Sequence, residues 1–158
     1  MKKKACILIV DDDKDICKTL SLILEGEGYI VDVAHSGGEA IEKSKIKTYN
    51  IALLDIVLPD MEGTQLLKKL RETTPKMIKI MITGYPNLEN AVEALNYDAD
   101  AYLIKPVNFE KLISVVREKL AKQREEETIT VEKIAAFVET RTQRMLQEME
   151  GEAANNTG

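Results

Sequence analysis

The sequence predicts an α/β fold in which one open parallel sheet is covered by helices on both faces. Five short apolar runs alternate with five amphipathic segments, and each strand–helix pair is about 20–25 residues long. Two of the runs, residues 5–10 and 51–54, have no polar alternation, which indicates strands buried on both faces. The 44% hydrophobic content is sufficient for a core of this kind.

The elements can be placed in order along the chain. The expected strands are residues 5–10, 29–34, 51–55, 77–82 and 100–104. The expected helices are residues 16–24, 36–45, 63–71, 87–95 and 108–124. Gly26 and Gly28 predict the end of the first helix. A capping box from Ser36 to Glu39 predicts the start of the second.

The composition changes after the fifth helix. We expect one domain at residues 1–122, an acidic helical extension or linker at 123–150 and a disordered tail at 151–158. From Lys122 onward, five Lys and Arg residues face eight Glu residues. The extension carries a weak stripe at helical spacing, formed by Val131, Ala135, Val138, Thr142, Met145 and Met149. Three roles are open for the extension: it docks on the domain, it forms a homodimer, or it links to a further module.

Polar side chains follow four of the five strands. They are Asp11 and Asp12 after the first, Asp55 at the end of the third, Thr83 after the fourth and Lys105 after the fifth. The carboxyl ends of parallel strands share one edge of a sheet, where ligands bind. Three carboxylates crowded at this edge repel one another, and a divalent cation would relieve the repulsion. Hard oxygen ligands and the lack of a Cys/His cluster favour Mg²⁺, with the backbone carbonyl of Val57 as a further ligand.

This arrangement predicts phosphoryl transfer to Asp55. Its carboxylate would attack phosphorus and form an aspartyl phosphate, while the cation lowers the charge repulsion. Lys105 would place a positive charge on a phosphoryl oxygen, and Thr83 would donate one hydroxyl. The donor would be a phosphohistidine or a small acyl phosphate.

The chain resembles the response-regulator receiver domains of two-component signalling. Four motifs carry the resemblance, in order and with family-like spacing over about residues 5–120: Ile-Leu-Ile-Val-Asp11-Asp12-Asp13, Leu-Leu-Asp55-Ile-Val-Leu-Pro59-Asp60-Met-Glu-Gly63, Met-Ile-Thr83-Gly84-Tyr85 and Ala-Tyr102-Leu-Ile-Lys105-Pro106. The resemblance implies a flavodoxin-like sheet with strand order 2-1-3-4-5.

The same resemblance implies the roles of individual residues. Asp11 and Asp12 would hold Mg²⁺, and Asp55 would be the phosphoacceptor. Thr83 and Lys105 would contact the phosphoryl group, with a cis peptide bond before Pro106. Tyr102 matches the switch aromatic, which turns inward when the threonine moves toward the phosphate.

The implied partners are a histidine kinase or phosphotransfer protein and a downstream protein. The downstream protein would bind the face formed by the fourth helix, fifth strand and fifth helix, around Tyr102. The net charge of -5 argues against direct nucleic-acid binding. No apolar run approaches the length of a membrane span. Two cysteines without motif spacing indicate reduced core residues and hence a cytoplasmic location.

Two other functions compete with a phosphorylated switch. The first is a phosphate-independent interaction module of the same fold. The second, suggested by Asp11-x-Asp13, is a haloacid-dehalogenase-like phosphatase, although Asp15 stands where that family has Thr or Val. We otherwise expect no enzymatic activity beyond phosphorylation and dephosphorylation of the chain itself.

Some residues near the motifs receive simpler interpretations. His35, the sole histidine, is expected to be a surface residue far from the acids. Asp60 and Glu62 are expected to be loop and helix-start acids. Val57 is apolar at a position beside the phosphoacceptor, which predicts slow self-dephosphorylation.

Overall fold

A five-stranded parallel sheet organises the first part of the chain. The computed structural model describes residues 3–84, 87–97 and 99–156. The strands are β1 Cys6–Val10, β2 Ile30–Ala34, β3 Ile51–Asp55, β4 Ile78–Thr83 and β5 Ala101–Ile104. The helices are α1 Lys14–Gly26, α2 Gly37–Ile46, α3 Gly63–Thr73, α4 Leu88–Asn96 and α5 Phe109–Asn156. The strand order is β2-β1-β3-β4-β5, so the predicted topology is confirmed.

Each face of the sheet has its own apolar core. On one face, Leu8, Val10 and Leu54 pack with residues of α2, α3 and α4. On the other face, Ile9 and Leu53 pack with residues of α1 and of α5, up to Leu120. Alternate residues of β1 and β3 therefore enter different cores, which explains why both strands are apolar throughout.

The predicted end of the first helix is confirmed, and the predicted capping box at the start of the second is confirmed in part. Gly28 follows α1 with a φ of 94°, a conformation that glycine adopts without steric cost. The hydroxyl of Ser36 accepts a hydrogen bond from the amide of Glu39 at 3.1 Å, as a capping box requires. The carboxylate of Glu39, however, accepts from the amide of His35 at 3.0 Å, one residue before the expected partner.

The fifth helix is longer than the sequence suggested. We expected it to end near Arg124, followed by a polar joint, but it continues to Asn156. Residues 151–156, expected to be disordered, are also helical. The polar segment contains good helix formers, and neither proline nor glycine occurs between Phe109 and Glu150. Its threonines are compatible with a helix because they donate to the carbonyl four residues earlier, as at Thr128, Thr130, Thr140 and Thr142.

The chain divides into two compact units, Met1–Leu120 and Ala121–Gly158. The first contains the sheet and both cores. The second is part of one helix and carries exposed apolar side chains, including Val131, Val138 and Met145. Our assignment of 1–122 as a domain and 123–150 as an extension stays a proposal. Within the described residues, no helix combines the length and hydropathy that crossing a membrane requires.

Candidate functional site

Three carboxylates meet at the carboxyl edge of the sheet. Asp11 directly follows β1, and Asp55 is the last residue of β3, which pairs with β1 through Val10 and Leu54. Asp11 is 4% exposed and Asp55 is 7% exposed, whereas Asp12 is open to solvent. Carboxylate oxygens of all three residues lie within 4.8 Å of one another. Their separation and hard oxygen chemistry suit a metal ion, so the predicted acidic cluster is present.

The side chain of Lys105 bridges two of these acids. Its Nζ atom lies 2.8 Å from Oδ2 of Asp11 and 3.2 Å from Oδ2 of Asp55. The backbone amide of Lys105 donates to the carbonyl of Thr83 at 2.7 Å, which extends the pairing of β4 and β5. The peptide bond between Lys105 and Pro106 is cis, as the resemblance implied. The lysine therefore reaches from the edge strand, across β4, to the acid that follows β1 and the acid that ends β3.

Burial and neighbouring charges alter the acid–base properties of this group. Burial raises the pKa of Asp55 above its ordinary value, and the charge of Asp11 raises it further. The charge of Lys105 and the amide of Val57 act in the opposite direction but do not cancel these effects. Burial alone would lower the pKa of Lys105, yet the hydrogen bond from Lys105 to Asp11 and the charges of both acids outweigh it, so the pKa is raised. The side chain of Lys105 is thus held as an ammonium between the two acids.

The remaining predicted residues lie around these acids. Thr83 ends β4 and is fully buried. Val57 is 54% exposed, and its amide lies 3.3 Å from Oδ1 of Asp55. It also forms an isolated bridge with Glu62, which closes the loop between β3 and α3. Tyr85, the last residue of the third motif, lies outside the described residues.

Tyr102 lies in β5, next to a cavity of about 190 Å³. The cavity is lined by residues 102–104, 106–108 and 111. The side chain is half-buried, and its hydroxyl is buried without a hydrogen-bond partner among the described residues. Leaving a buried hydroxyl without a hydrogen bond is energetically costly.

His35 is partly exposed but lies close to the acids, so the prediction that it is far from them was wrong. Its Nδ1 atom is 3.1 Å from the carbonyl oxygen of Asp11. Because a carbonyl oxygen only accepts hydrogen bonds, the proton of this contact belongs to Nδ1. The strand order explains the contact, since β2 neighbours β1 and the residues that follow these two strands lie side by side. Topology was therefore the signal that could have located His35.

A buried thiol reaches the same carbonyl. Sγ of Cys17, in α1, lies 3.2 Å from the carbonyl oxygen of Asp11. Burial, together with the charges of Asp11 and Asp13, raises the pKa of this thiol to about 11. Cys17 is therefore a neutral hydrogen-bond donor beside the site, and both cysteines are free and buried as expected.

Asp13 has a structural role at the start of α1. Its carboxylate accepts from the amides of Asp15 at 3.0 Å and Ile16 at 3.1 Å, capping the start of α1. These contacts engage the carboxylate of Asp13 at the N-terminus of α1.

Comparison with protein families gives one clear match. The response regulator receiver domain family matches residues 7–117. The transcriptional regulatory protein ZraR of Klebsiella oxytoca is 39% identical over 130 residues, 82% of this chain and 29% of the relative. The response regulator ArlR of Staphylococcus saprophyticus is 35% identical over 130 residues, 81% of this chain and 58% of the relative. The chain therefore spans less than two thirds of either relative.

Solved structures agree with the family match. A CheY-like response regulator receiver domain protein from Methanospirillum hungatei JF-1 is 50% identical, with a TM-score of 0.77. The match covers 78% of this chain and 99% of that one. The beryllofluoride-activated NtrC4 receiver domain, solved as a dimer, is 32% identical with a TM-score of 0.71, covering 75% of this chain and 98% of that one.

Proposed function

The chain belongs to the response regulator receiver domain family, and from this premise we propose that Asp55 accepts a phosphoryl group from a histidine kinase or phosphotransfer protein. The observation that carries the proposal is the grouping of Asp11, Asp12, Asp55 and Lys105 at one sheet edge. The modified protein would then signal through contact with another protein.

Each side chain has a chemical role in this reaction. A carboxylate oxygen of Asp55 forms a bond to phosphorus as the bond from phosphorus to the donor imidazole nitrogen breaks. The electron pair of that bond stays on the imidazole. Lys105, already beside Asp55, provides positive charge for the phosphoryl oxygens. Burial of Asp55 limits the access of water to its carboxylate, and the contacts from Lys105 and the amide of Val57 orient its oxygens.

The acidic cluster fits Mg²⁺. The side chains of Asp11, Asp12 and Asp55 and the backbone carbonyl of Val57 would hold this ion with hard oxygen ligands. When bound, Mg²⁺ supplies positive charge that reduces repulsion between the carboxylate and the phosphoryl group. Lys105 partly balances the charge of Asp11 and Asp55 in the described structure, which explains how these acids can be buried.

We further propose that Thr83 and Tyr102 convert phosphorylation into a change of shape. The hydroxyl of Thr83 would donate to the phosphoryl group, and Tyr102 would turn into the space that the threonine leaves. The half-buried position of Tyr102, and a hydroxyl without a hydrogen-bond partner among the described residues, support two positions for this side chain. The altered face, formed by α4, β5 and the beginning of α5, would bind the downstream partner.

Several expectations stay predictions. The chain is expected to turn over no external substrate beyond its own phosphorylation and dephosphorylation. Absence of direct nucleic-acid binding rests on the net charge of -5, although the relative ZraR is named a transcriptional regulatory protein. A cytoplasmic location rests on the two free cysteines. Homodimerisation rests on the apolar stripe of the second unit.

The test is phosphate incorporation from acetyl phosphate, read by intact mass with and without Mg²⁺. Wild type is expected to gain one phosphoryl adduct that requires Mg²⁺, and Asp55→Asn is expected to gain none. Asp15→Asn, which changes an exposed aspartate outside the cluster, is the matched control and should be modified like wild type. An adduct of equal yield on Asp55→Asn would place the phosphoacceptor elsewhere.

A further inference from the structure

The loop between β3 and α3 is attached to the start of α2 through Asp60. Oδ1 of Asp60 accepts from the amide of Gly37 at 2.9 Å, and Oδ2 accepts from the amide of Gly38 at 2.8 Å. These are the first two residues of α2, where amides have no partner inside the helix. The next amide, of Glu39, donates to the hydroxyl of Ser36. Asp60 therefore contributes to capping a helix that lies 22 residues earlier in the sequence.

The two glycines allow this close approach. A Cβ atom on Gly37 would lie 2.4 Å from Sδ of Met61, and one on Gly38 would lie 3.2 Å from Oδ2 of Asp60. The hydrogen bonds from Gly38 and Gly37 lower the pKa of Asp60, so its carboxylate is charged at neutral pH. A negative carboxylate at a helix N-terminus also interacts favourably with the helix dipole. The contact between Asp60 and the start of α2 therefore combines favourable electrostatics with close packing.

The other side of the same loop faces the phosphoacceptor. The amide of Val57 contacts Oδ1 of Asp55, and Val57 pairs with Glu62 across the loop. The amide of Gly63 donates to the carbonyl of Ile56 at 2.6 Å, which closes the base of the loop. These contacts are internal to the loop or its base. Asp60 attaches the loop to a different element of the domain.

We propose that Asp60 is a positioning residue for the metal site: by holding the loop of residues 56–62 against α2, it fixes the backbone of Val57, whose carbonyl would be a ligand of the cation. This inference rests on the proposed function, because the cation is the Mg²⁺ assigned there to Asp11, Asp12 and Asp55. It gives Asp60 a role beyond that of a loop acid. It also explains why two successive glycines at the start of α2 accompany an aspartate in the loop.

The test measures Mg²⁺ affinity of the full unphosphorylated chain by titration calorimetry, so it does not depend on phosphoryl transfer. Asp60→Asn replaces one acceptor oxygen with an amide group that cannot accept from a backbone N–H. Removing a supporting contact of a metal ligand typically weakens binding about 10- to 100-fold, and we expect about 10-fold for this indirect contact.

Ser36→Ala is the matched control. It removes the other side-chain cap of α2, the bond from Glu39, without touching the loop. If Asp60 only stabilised α2, Asp60→Asn and Ser36→Ala would both unfold at a lower denaturant concentration, and both would keep wild-type Mg²⁺ affinity. We expect Ser36→Ala to bind Mg²⁺ like wild type and Asp60→Asn to bind it about 10-fold more weakly.

A second variant approaches the contact from the helix side. Gly38→Ala places a methyl group against the Asp60 carboxylate while raising the helix propensity of α2. We expect weaker Mg²⁺ binding despite the more favourable helix, an outcome that helix capping alone does not produce. Unchanged affinity in both Asp60→Asn and Gly38→Ala, with wild type binding Mg²⁺, would overturn the role of Asp60. No Mg²⁺ binding by wild type would overturn the proposed metal site as well.

Discussion

A Cβ atom on Gly63 would lie 2.1 Å from the carbonyl oxygen of Asp55, which is far too short for two atoms that are not bonded to each other. Glycine is therefore required here by packing against the backbone of Asp55 and Ile56. We expect Gly63→Ala to lower the free energy of unfolding by about 3 kcal/mol, since the neighbouring atoms belong to the backbone and cannot rotate away. Urea denaturation followed by circular dichroism measures this loss.

Gly26→Ala is the control for this prediction. Among the described residues, and apart from the adjoining residues and the helix's own backbone, nothing lies within 4 Å of a Cβ atom on Gly26, the last residue of α1. Reduced freedom of the unfolded chain should then raise the free energy of unfolding by about 0.5–1 kcal/mol. Similar changes in the free energy of unfolding for Gly63→Ala and Gly26→Ala would contradict a packing requirement at Gly63.

The ion pair of Lys47 and Asp32 gives a prediction about pH. The hydroxyl of Tyr49 donates to Oδ2 of Asp32 at 2.7 Å, and Nζ of Lys47 lies 3.0 Å from the same oxygen. The hydrogen bond from Tyr49 is the largest of the effects that lower the pKa of Asp32. We expect Tyr49→Phe to lower the free energy of unfolding by about 1.5 kcal/mol at neutral pH, because the lost hydrogen bond is to a charged group.

The sign of the pH dependence follows from the direction of that shift. The pKa of Asp32 in the folded protein is below its ordinary value of 3.8. The stabilisation is therefore complete above pH 3.8 and is lost as the pH falls through the folded pKa. The difference between wild type and Tyr49→Phe should shrink on acidification below pH 3.8. Tyr29→Phe is the control, and a Tyr49 effect that does not vary with pH would contradict this explanation.

Val57 is expected to lengthen the life of the phosphorylated state. Its side chain is exposed beside Asp55 and offers no hydrogen bond to an attacking water molecule. Val57→Asn would add an amide that can orient such a molecule, so we expect dephosphorylation to become several-fold faster. The measurement is loss of the phosphoryl adduct by intact mass after removal of the donor. Val57→Leu should behave like wild type, and equal rates for all three proteins would refute the prediction.

The sequence located most of the candidate site because each polar residue ends an apolar strand. Buried strands such as β1 and β3 are recognisable without tertiary information, and acids that directly follow them must lie at the sheet edge. Asp11 and Asp55 could therefore be paired in advance. Lys105 could be added because its strand ends at the same edge, and its long side chain crosses β4.

The contacts that the sequence did not reveal depend on the paths of loops. Asp60 meets Gly37 and Gly38 only because the loop after β3 turns toward α2, and no local pattern encodes that direction. His35 required the neighbouring positions of β1 and β2 to be applied to the residues beyond the strands. The length of α5 escapes sequence analysis for another reason: a polar composition is typical of a joint, although neither proline nor glycine occurs between Phe109 and Glu150.

The second unit leads to a prediction about self-association. Val131, Val138 and Met145 are each more than half exposed and recur every seven residues in one helix. Apolar residues at this spacing favour pairing with a second helix, and a second copy of the chain offers the same repeat. We expect the sedimenting mass of the full chain to rise toward that of a dimer as its concentration increases.

Val138→Asp should keep the chain monomeric, because it places a charge in the middle of the stripe. Thr140→Asp, which adds the same charge off the stripe, should sediment like wild type. A wild-type chain that stays monomeric at all concentrations would leave the stripe without a role in dimerisation.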